Sequence, residues 1–314
     1  MKRHAYLIIA HKNFEQLKKL LVLLDDAQND IFILIDKKSV FDKNDFLQIC
    51  EKSNVQFVKR IHVNWGGYSQ IIAEMTLFRA ASEYGTYVYY HLLSGMDLPL
   101  HNQDYIHAFF EKYEGYEFFT FTGRDIFERE KPERRIRYYY LLHDLPCGRL
   151  SGKIMTKIQD RLLIPVQRRL GVNRLRGKTF EVGYGANWVS VTDNFVRYLL
   201  SNEKKIRKIY KFSWCCDELY KHTLLLNSPF RDKVFISEGV HDRREDRQGN
   251  LRYINWWTGS PRTWRIEDQE ELIEAAERGY LFSRKFDEQT DAMIIDYICD
   301  MVKHESGWKL NDQF

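Results

Sequence analysis

The chain has 314 residues, 44% of them hydrophobic and 15% aromatic, with a formal net charge of +4. This length can bury a substantial core in one large domain or two small ones, and the mild charge excludes the field of a dedicated nucleic-acid protein. Five scattered cysteines without a Cys-x-x-Cys pair give neither a zinc site nor a disulfide framework, so a reducing cytosol is the expected setting.

The start, Met1-Lys2-Arg3-His4 followed by apolar residues 5–10, has the charge pattern of a signal peptide. The run is too short and breaks at His11-Lys12-Asn13, so it reads as a buried strand. Phe14, Leu17, Leu21 and Leu24 predict a helix over 14–24. Apolar residues 31–35 predict a strand ending at Asp36, and 55–58 another. Ile71, Met75, Phe78 and Ala81 predict the inward side of a helix over 70–84. A strand over 87–93 runs into Ser94-Gly95-Met96-Asp97. The β-α-β-α-β order predicts a mostly parallel sheet with both faces covered, and ligands beyond the carboxyl ends of its strands. Asp36, residues 65–68 and Asp97 fall at such ends.

Residues 123–178 are basic. From 153 to 178 there are eight cations (Lys153, Lys157, Arg161, Arg168, Arg169, Arg174, Arg176 and Lys178) against one acid, Asp160. Ile154, Ile158, Leu162, Val166 and Leu170 recur every four residues, and Pro165 kinks or splits the helix they imply. Two readings stand. The helix packs on the domain through its apolar side, or it lies on an anionic membrane surface near a lipid-linked substrate, at the inner face of the cell membrane. Residues 180–191 read as strand and loop, with Gly183 and Gly185 where the backbone turns or approaches something closely. Helices follow over 193–208, capped by Thr192 or Asp193, and over 213–226, with Asp217-Glu218 in the first turn. No repeat, linker or bilayer-spanning run interrupts the chain. A single domain is expected, with 1–122 as its nucleotide-binding part, 123–178 as a basic helical segment and 179–314 as the acceptor and diphosphate part.

Leu281-Phe282-Ser283-Arg284-Lys285-Phe286-Asp287 sets two cations in an apolar stretch. Either they are surface charges flanking core aromatics, or they meet an anion such as a diphosphate leaving group. Glu218 is either a carboxylate favoured by the helix dipole or a general base, and Asp217 is a candidate for either role. Asp36 caps a turn or accepts hydrogen bonds from a ribose or uracil. Trp65-Gly66-Gly67 is a turn or a backbone approach to a ligand. No Asp-x-Asp metal motif occurs, so the charge work on a diphosphate would pass to Arg284 and Lys285, with Arg262 as a third cation. Trp256 and Trp257 form a core strand or a stacking wall for a sugar. His62, His91, His101 and His107 have no metal-ligand spacing and read as structural.

These motifs, in this order, resemble the core-2/I-branching enzyme and xylosyltransferase family, family 14 of the glycosyltransferases. The resemblance rests on residues 5–11, 33–39, Trp65-Gly66-Gly67, residues 92–99, Gly185-Ala186-Asn187-Trp188, Asp217-Glu218, Asn255-Trp256 and residues 281–287. It implies a GT-A type α/β fold and an inverting, metal-independent transfer from a UDP-sugar, carrying GlcNAc or xylose, with no cofactor. The acceptor would be a hydroxyl of a glycan or lipid-linked oligosaccharide, as in cell-surface polysaccharide synthesis. It implies Glu218 as base, Lys285 and Arg284 with Arg262 on the diphosphate, Asp36 and Trp65 with Gly66 and Asp97 around the nucleotide, and Trp256 with Asp217 and Trp188 toward the acceptor. Two rival readings are an inactive glycan-binding module of the same fold and a nucleic-acid binder using the basic segment, though no nucleic-acid motif supports the second.

Overall fold

The computed structural model describes residues 2–46, 48–145, 149–258 and 261–306, without the side chains of Arg149, Leu150, Ser151 and Lys153. Met1 and Cys147 thus lie outside the described residues, as does the Lys153 side chain counted among the cations above. The first half of the chain runs β1 (His4–Ala10), α1 (Phe14–Leu24), β2 (Asn29–Ile35), β3 (Asn54–Phe57), α2 (Tyr68–Tyr84), β4 (Tyr89–Ser94), β5 (Asp97–Pro99) and α3 (Gln103–Lys112). The apolar runs and helical spacings mark most of these elements closely; β5, three residues long, and α3 escape them. Then come α4 (Arg124–Glu130), α5 (Arg134–Arg137), α6 (Arg149–Ile158), a π turn (Gln159–Leu163), α7 (Ile164–Arg169), β6 (Ser190–Thr192), α8 (Asp193–Ser201), α9 (Glu203–Tyr210) and α10 (Asp217–Leu226). The last elements are β7 (Arg252–Ile254), α11 (Gln269–Glu277), β8 (Phe282–Arg284) and α12 (Ala292–Lys303).

The main sheet has the order β3-β2-β1-β4-β6, parallel except for β6, which runs against β4. Both of its faces are covered. Tyr6, Ile8 and Ala10 of β1 point into one core cluster, with α1, α3 and α12, while Ala5 and Leu7 point into the other, with α2, α8 and α10. Burial on both sides is why β1 and β2 read as unbroken apolar runs rather than as alternations. Ala10 lies opposite Ile35, and Ile9 opposite Ser94, so the chain leaves β1, β2 and β4 at one edge. The smaller sheet, β5-β8-β7, abuts that edge and sets Asp97 directly opposite Arg284.

Three expectations change. The single helix over 193–208 is two, because Asn202 donates its side-chain amide to the Tyr198 carbonyl at 2.9 Å and so ends α8, while its own carbonyl accepts the first bond of α9. Thr192 does cap α8, accepting from Phe195 N. The helix expected from 213 begins at Asp217, after Cys215 takes a left-handed φ of 45°.

The third change concerns the basic segment. It is helical, with a π turn just before Pro165, but it does not pack through its apolar side. Gln159, fully buried, accepts from Leu141 N and Leu142 N and donates to Tyr139 O, and Gln167 brackets Tyr139 from both its N and its O. A π turn absorbs about one additional residue, so two glutamines eight positions apart align as after roughly two turns. Docking by glutamine leaves Ile154, Ile158, Leu162, Val166 and Leu170 between 42% and 75% exposed. Among the described residues no helix is long and apolar enough to cross a membrane.

Candidate active site

One end of the site is the first turn of α10. Glu218 Oε2 receives Arg135 Nη1 at 2.6 Å, and Arg135 also donates to the Tyr184 hydroxyl at 3.2 Å while lying over the Tyr184 and Trp214 rings. Burial, reinforced by the charge of Asp217, pushes the Glu218 carboxyl up to about 7 against the pull of Arg135. Burial also raises Asp217, whose Oδ2 accepts from Gln70 Nε2 at 2.9 Å. Beneath them Lys221, fully buried, pairs with Glu74 and donates to Asn187 Oδ1 at 2.6 Å and to Asp217 O.

The Trp65-Gly66-Gly67 turn abuts this corner. Gly66 O accepts from Cys215 N at 2.8 Å, and Gln70 closes the loop by receiving Gly66 N. Gly66 has φ 74°, and a Cβ there would stand 2.8 Å from Trp214 Nε1. Only glycine fits. Trp65 itself is 79% exposed. From this turn the chain leads back to Asp36, which is buried and accepts from Lys38 N at 3.0 Å and Val63 N at 3.4 Å, with the Lys38 ammonium 3.4 Å away.

The other end is the seam between the two sheets. Arg284 Nη1 donates to Asp97 Oδ1 at 2.8 Å and Ser94 Oγ at 2.7 Å, and its guanidinium stacks on Trp188 at 4.4 Å. The late cation pair therefore does have an acidic partner, brought in by strand pairing from 187 positions earlier (284 − 97). Asp97 is fully buried and spent on Ser94 and Arg284, so it serves the site by holding Arg284. Asp287 is likewise spent, on Lys12 at 2.6 Å and Asn13. Arg262 forks onto Asp268 at 3.0 and 2.8 Å, and its backbone flanks Lys285. Lys285 alone of the three predicted cations has no side-chain hydrogen-bond or ion-pair partner among the described residues. Burial lowers its pKa, and the neighbouring Arg284 and Lys12 charges lower it further. Arg284, Lys285 and Lys12 thus stand near one another at strand ends, the first paired with Asp97 and the last with Asp287.

Residues 185–188 join the two ends. Gly185 N donates to Glu218 O at 3.2 Å, Asn187 meets Lys221, and Trp188 carries Arg284. Gly185 and Trp188 are three residues apart, at most about 11 Å between their Cα atoms, so this short segment links the surroundings of Glu218 to those of Arg284. Gly185 meets the expectation of close backbone approach: a Cβ there would fall 1.8 Å from Thr120 O. Trp188, expected toward the acceptor, stacks with Arg284. Trp256 is half-buried, two residues past Ile254, which pairs with Arg284. Trp257 packs on Tyr253 at 5.6 Å. Sequence reasoning missed Arg135, Tyr184, Lys12 and Lys221, and gave Asn187 no role beyond its place in the motif over 185–188. Arg135 is one cation among many, and the others carry no local signal beyond their closeness to motif residues. Among the described residues no three His, Cys, Asp or Glu side chains gather as a metal-ligand set.

The structure thus sets a raised carboxyl in the first turn of α10 and cations near the ends of β1 and β8 of a mostly parallel α/β fold. The family model of the Core-2/I-Branching enzyme matches residues 4–274, and the chain belongs to that family, a family of glycosyltransferases. Xylosyltransferase 1 of Homo sapiens is 24% identical over 321 residues, covering 93% of this chain and 30% of that protein. Xylosyltransferase sqv-6 of Caenorhabditis briggsae is 25% identical over 302 residues, covering 91% of this chain and 35% of that protein. The chain thus spans about a third of the length of these curated relatives. Among solved structures, mouse xyloside xylosyltransferase 1 in its apo form aligns over 90% of this chain and 97% of that one, at 10% identity and a TM-score of 0.38.

Proposed function

We propose that the chain transfers a sugar, xylose or GlcNAc, from a UDP-sugar to a hydroxyl of a glycan acceptor, with inversion and without a metal ion. The observation that carries this reading is the raised Glu218 carboxyl, linked through residues 185–188 to the Arg284–Lys285 cations. Glu218 takes the acceptor hydroxyl proton as that oxygen bonds to the anomeric carbon. The carbon–phosphate oxygen bond breaks on the opposite face, and UDP departs with the electron pair. Lys285 meets the charge that develops on the diphosphate, with Arg284 beside it, oriented by Asp97 and Trp188. Arg262, tied to Asp268, steadies the strand that presents Lys285. In this reading Asp36 and the exposed Trp65 contact the uridine. The relatives named as xylosyltransferases favour xylose as the first donor to try.

Glu218→Gln keeps the shape of the side chain and removes its basicity. Transfer is expected to fall by about 100-fold or more while UDP affinity, by calorimetry, stays within twofold. Full transfer by the variant removes Glu218 from the role of base. Donor identity is read by thermal shift with UDP-xylose and UDP-GlcNAc, since the true donor stabilises the native state by mass action. Transfer in excess EDTA should be unchanged, and its loss would put a metal in the mechanism.

A further inference from the structure

We propose that the outward side of α6, the π turn and α7, together with the cationic surface of α9, docks on an anionic lipid bilayer. The inference stands apart from the catalytic reading and uses none of its residues. Its first support is the inverted helix. Two glutamines fasten it to the 139–142 segment, and the apolar stripe that such a helix ordinarily buries faces outward. Tyr139, Leu141, Leu145 and Phe212 extend the exposed apolar area on adjoining chain.

The second support is charge. Beside the stripe lies a cavity of about 560 Å³ lined by Arg174, Lys178, Lys204, Arg207, Lys208 and Lys211, with the Tyr139 and Phe212 rings, and no carboxylate lines it. Tyr139 belongs to both surfaces. Its backbone receives the glutamines, and its ring stacks under Arg174 at 4.7 Å. Arg174 is held in turn by the carbonyls of Tyr138, Ile209, Lys211 and Phe212, which fixes the cavity rim to the 138–139 segment. The cations crowd one another, since burial and the charges of Arg174 and Lys208 lower the pKa of Lys178. Lys157, Arg161, Arg168 and Arg169 are exposed along the helix itself.

Charge selects the occupant. A second copy docked by the same patch would bring like charges face to face. A nucleic acid would satisfy the cations and leave branched aliphatic side chains in water. An anionic bilayer meets both, with headgroups on the cations and acyl chains at the stripe.

The test is co-sedimentation of the full chain with phosphatidylcholine vesicles, with and without phosphatidylserine, at low and high salt. Binding is expected only to the anionic vesicles and is expected to weaken with salt. Replacing Lys204, Arg207 and Lys208 by Gln should reduce partitioning by on the order of 100-fold. Leu162→Asn with Val166→Asn, both at exposed positions, should weaken it by about tenfold or more while the unfolding midpoint stays unchanged. Failure to bind anionic vesicles overturns the proposal. So does vesicle binding that ignores the asparagine pair, or tighter binding to a soluble oligonucleotide than to vesicles. Dimerisation in light scattering that the asparagine pair abolishes would assign the stripe to a second copy instead.

Discussion

Arg135 decides how Glu218 behaves. Burial and Asp217 push the carboxyl up, and the guanidinium holds it down, leaving it at about 7. A general base works only when deprotonated, so transfer should rise with pH through a limb near 7 and lose about tenfold for each pH unit below it. The limb belongs to the coupled Asp217–Glu218 pair. Arg135→Gln removes the one strong stabiliser of the charged form, so the acid limb should move to higher pH while UDP affinity stays unchanged. A kcat profile whose limb does not move would leave Arg135 with packing alone. Glu218 was legible in the sequence as an acid at a helix start. Its partner was not, because Arg135 lies 83 positions away (218 − 135) in a run where cations are common.

At the scale of elements, the segment over 185–188 depends on Gly185. A Cβ there would overlap Thr120 O and approach His222 Nε2 at 2.8 Å, so Gly185→Ala must displace backbone. The expected cost is about 3 kcal/mol, read as a lowered denaturant midpoint, with transfer reduced because Asn187 and Trp188 move with it. An unchanged midpoint would show that the loop yields freely. The glycines flanking Tyr184 announced this approach in the sequence. The basic helix shows the reverse case. Its apolar period was plain, but a period names a side and not what that side meets. The two glutamines that set its orientation look in sequence like any other solvated polar residues.

Across the whole molecule, the parallel sheet was legible because strands buried on both faces must be apolar throughout. The second sheet was not. Each of its strands is three residues long, too short for any periodicity, and its pairings join residues far apart in sequence. Family membership and the α/β architecture both agree with what the ordered motifs implied.

The pairing of Asp97 with Arg284 carries a consequence for biosynthesis. A chain emerging from the ribosome N-terminus first can assemble the strands through β6 long before β8 exists. Throughout that interval the Asp97 carboxylate waits without its counterion, and the cations proposed to meet the diphosphate are missing. On the proposed reading the nascent protein can therefore hold its general base, Glu218, ready while lacking Arg284 and Lys285, and competence arrives only as the last strand slots between its two neighbours.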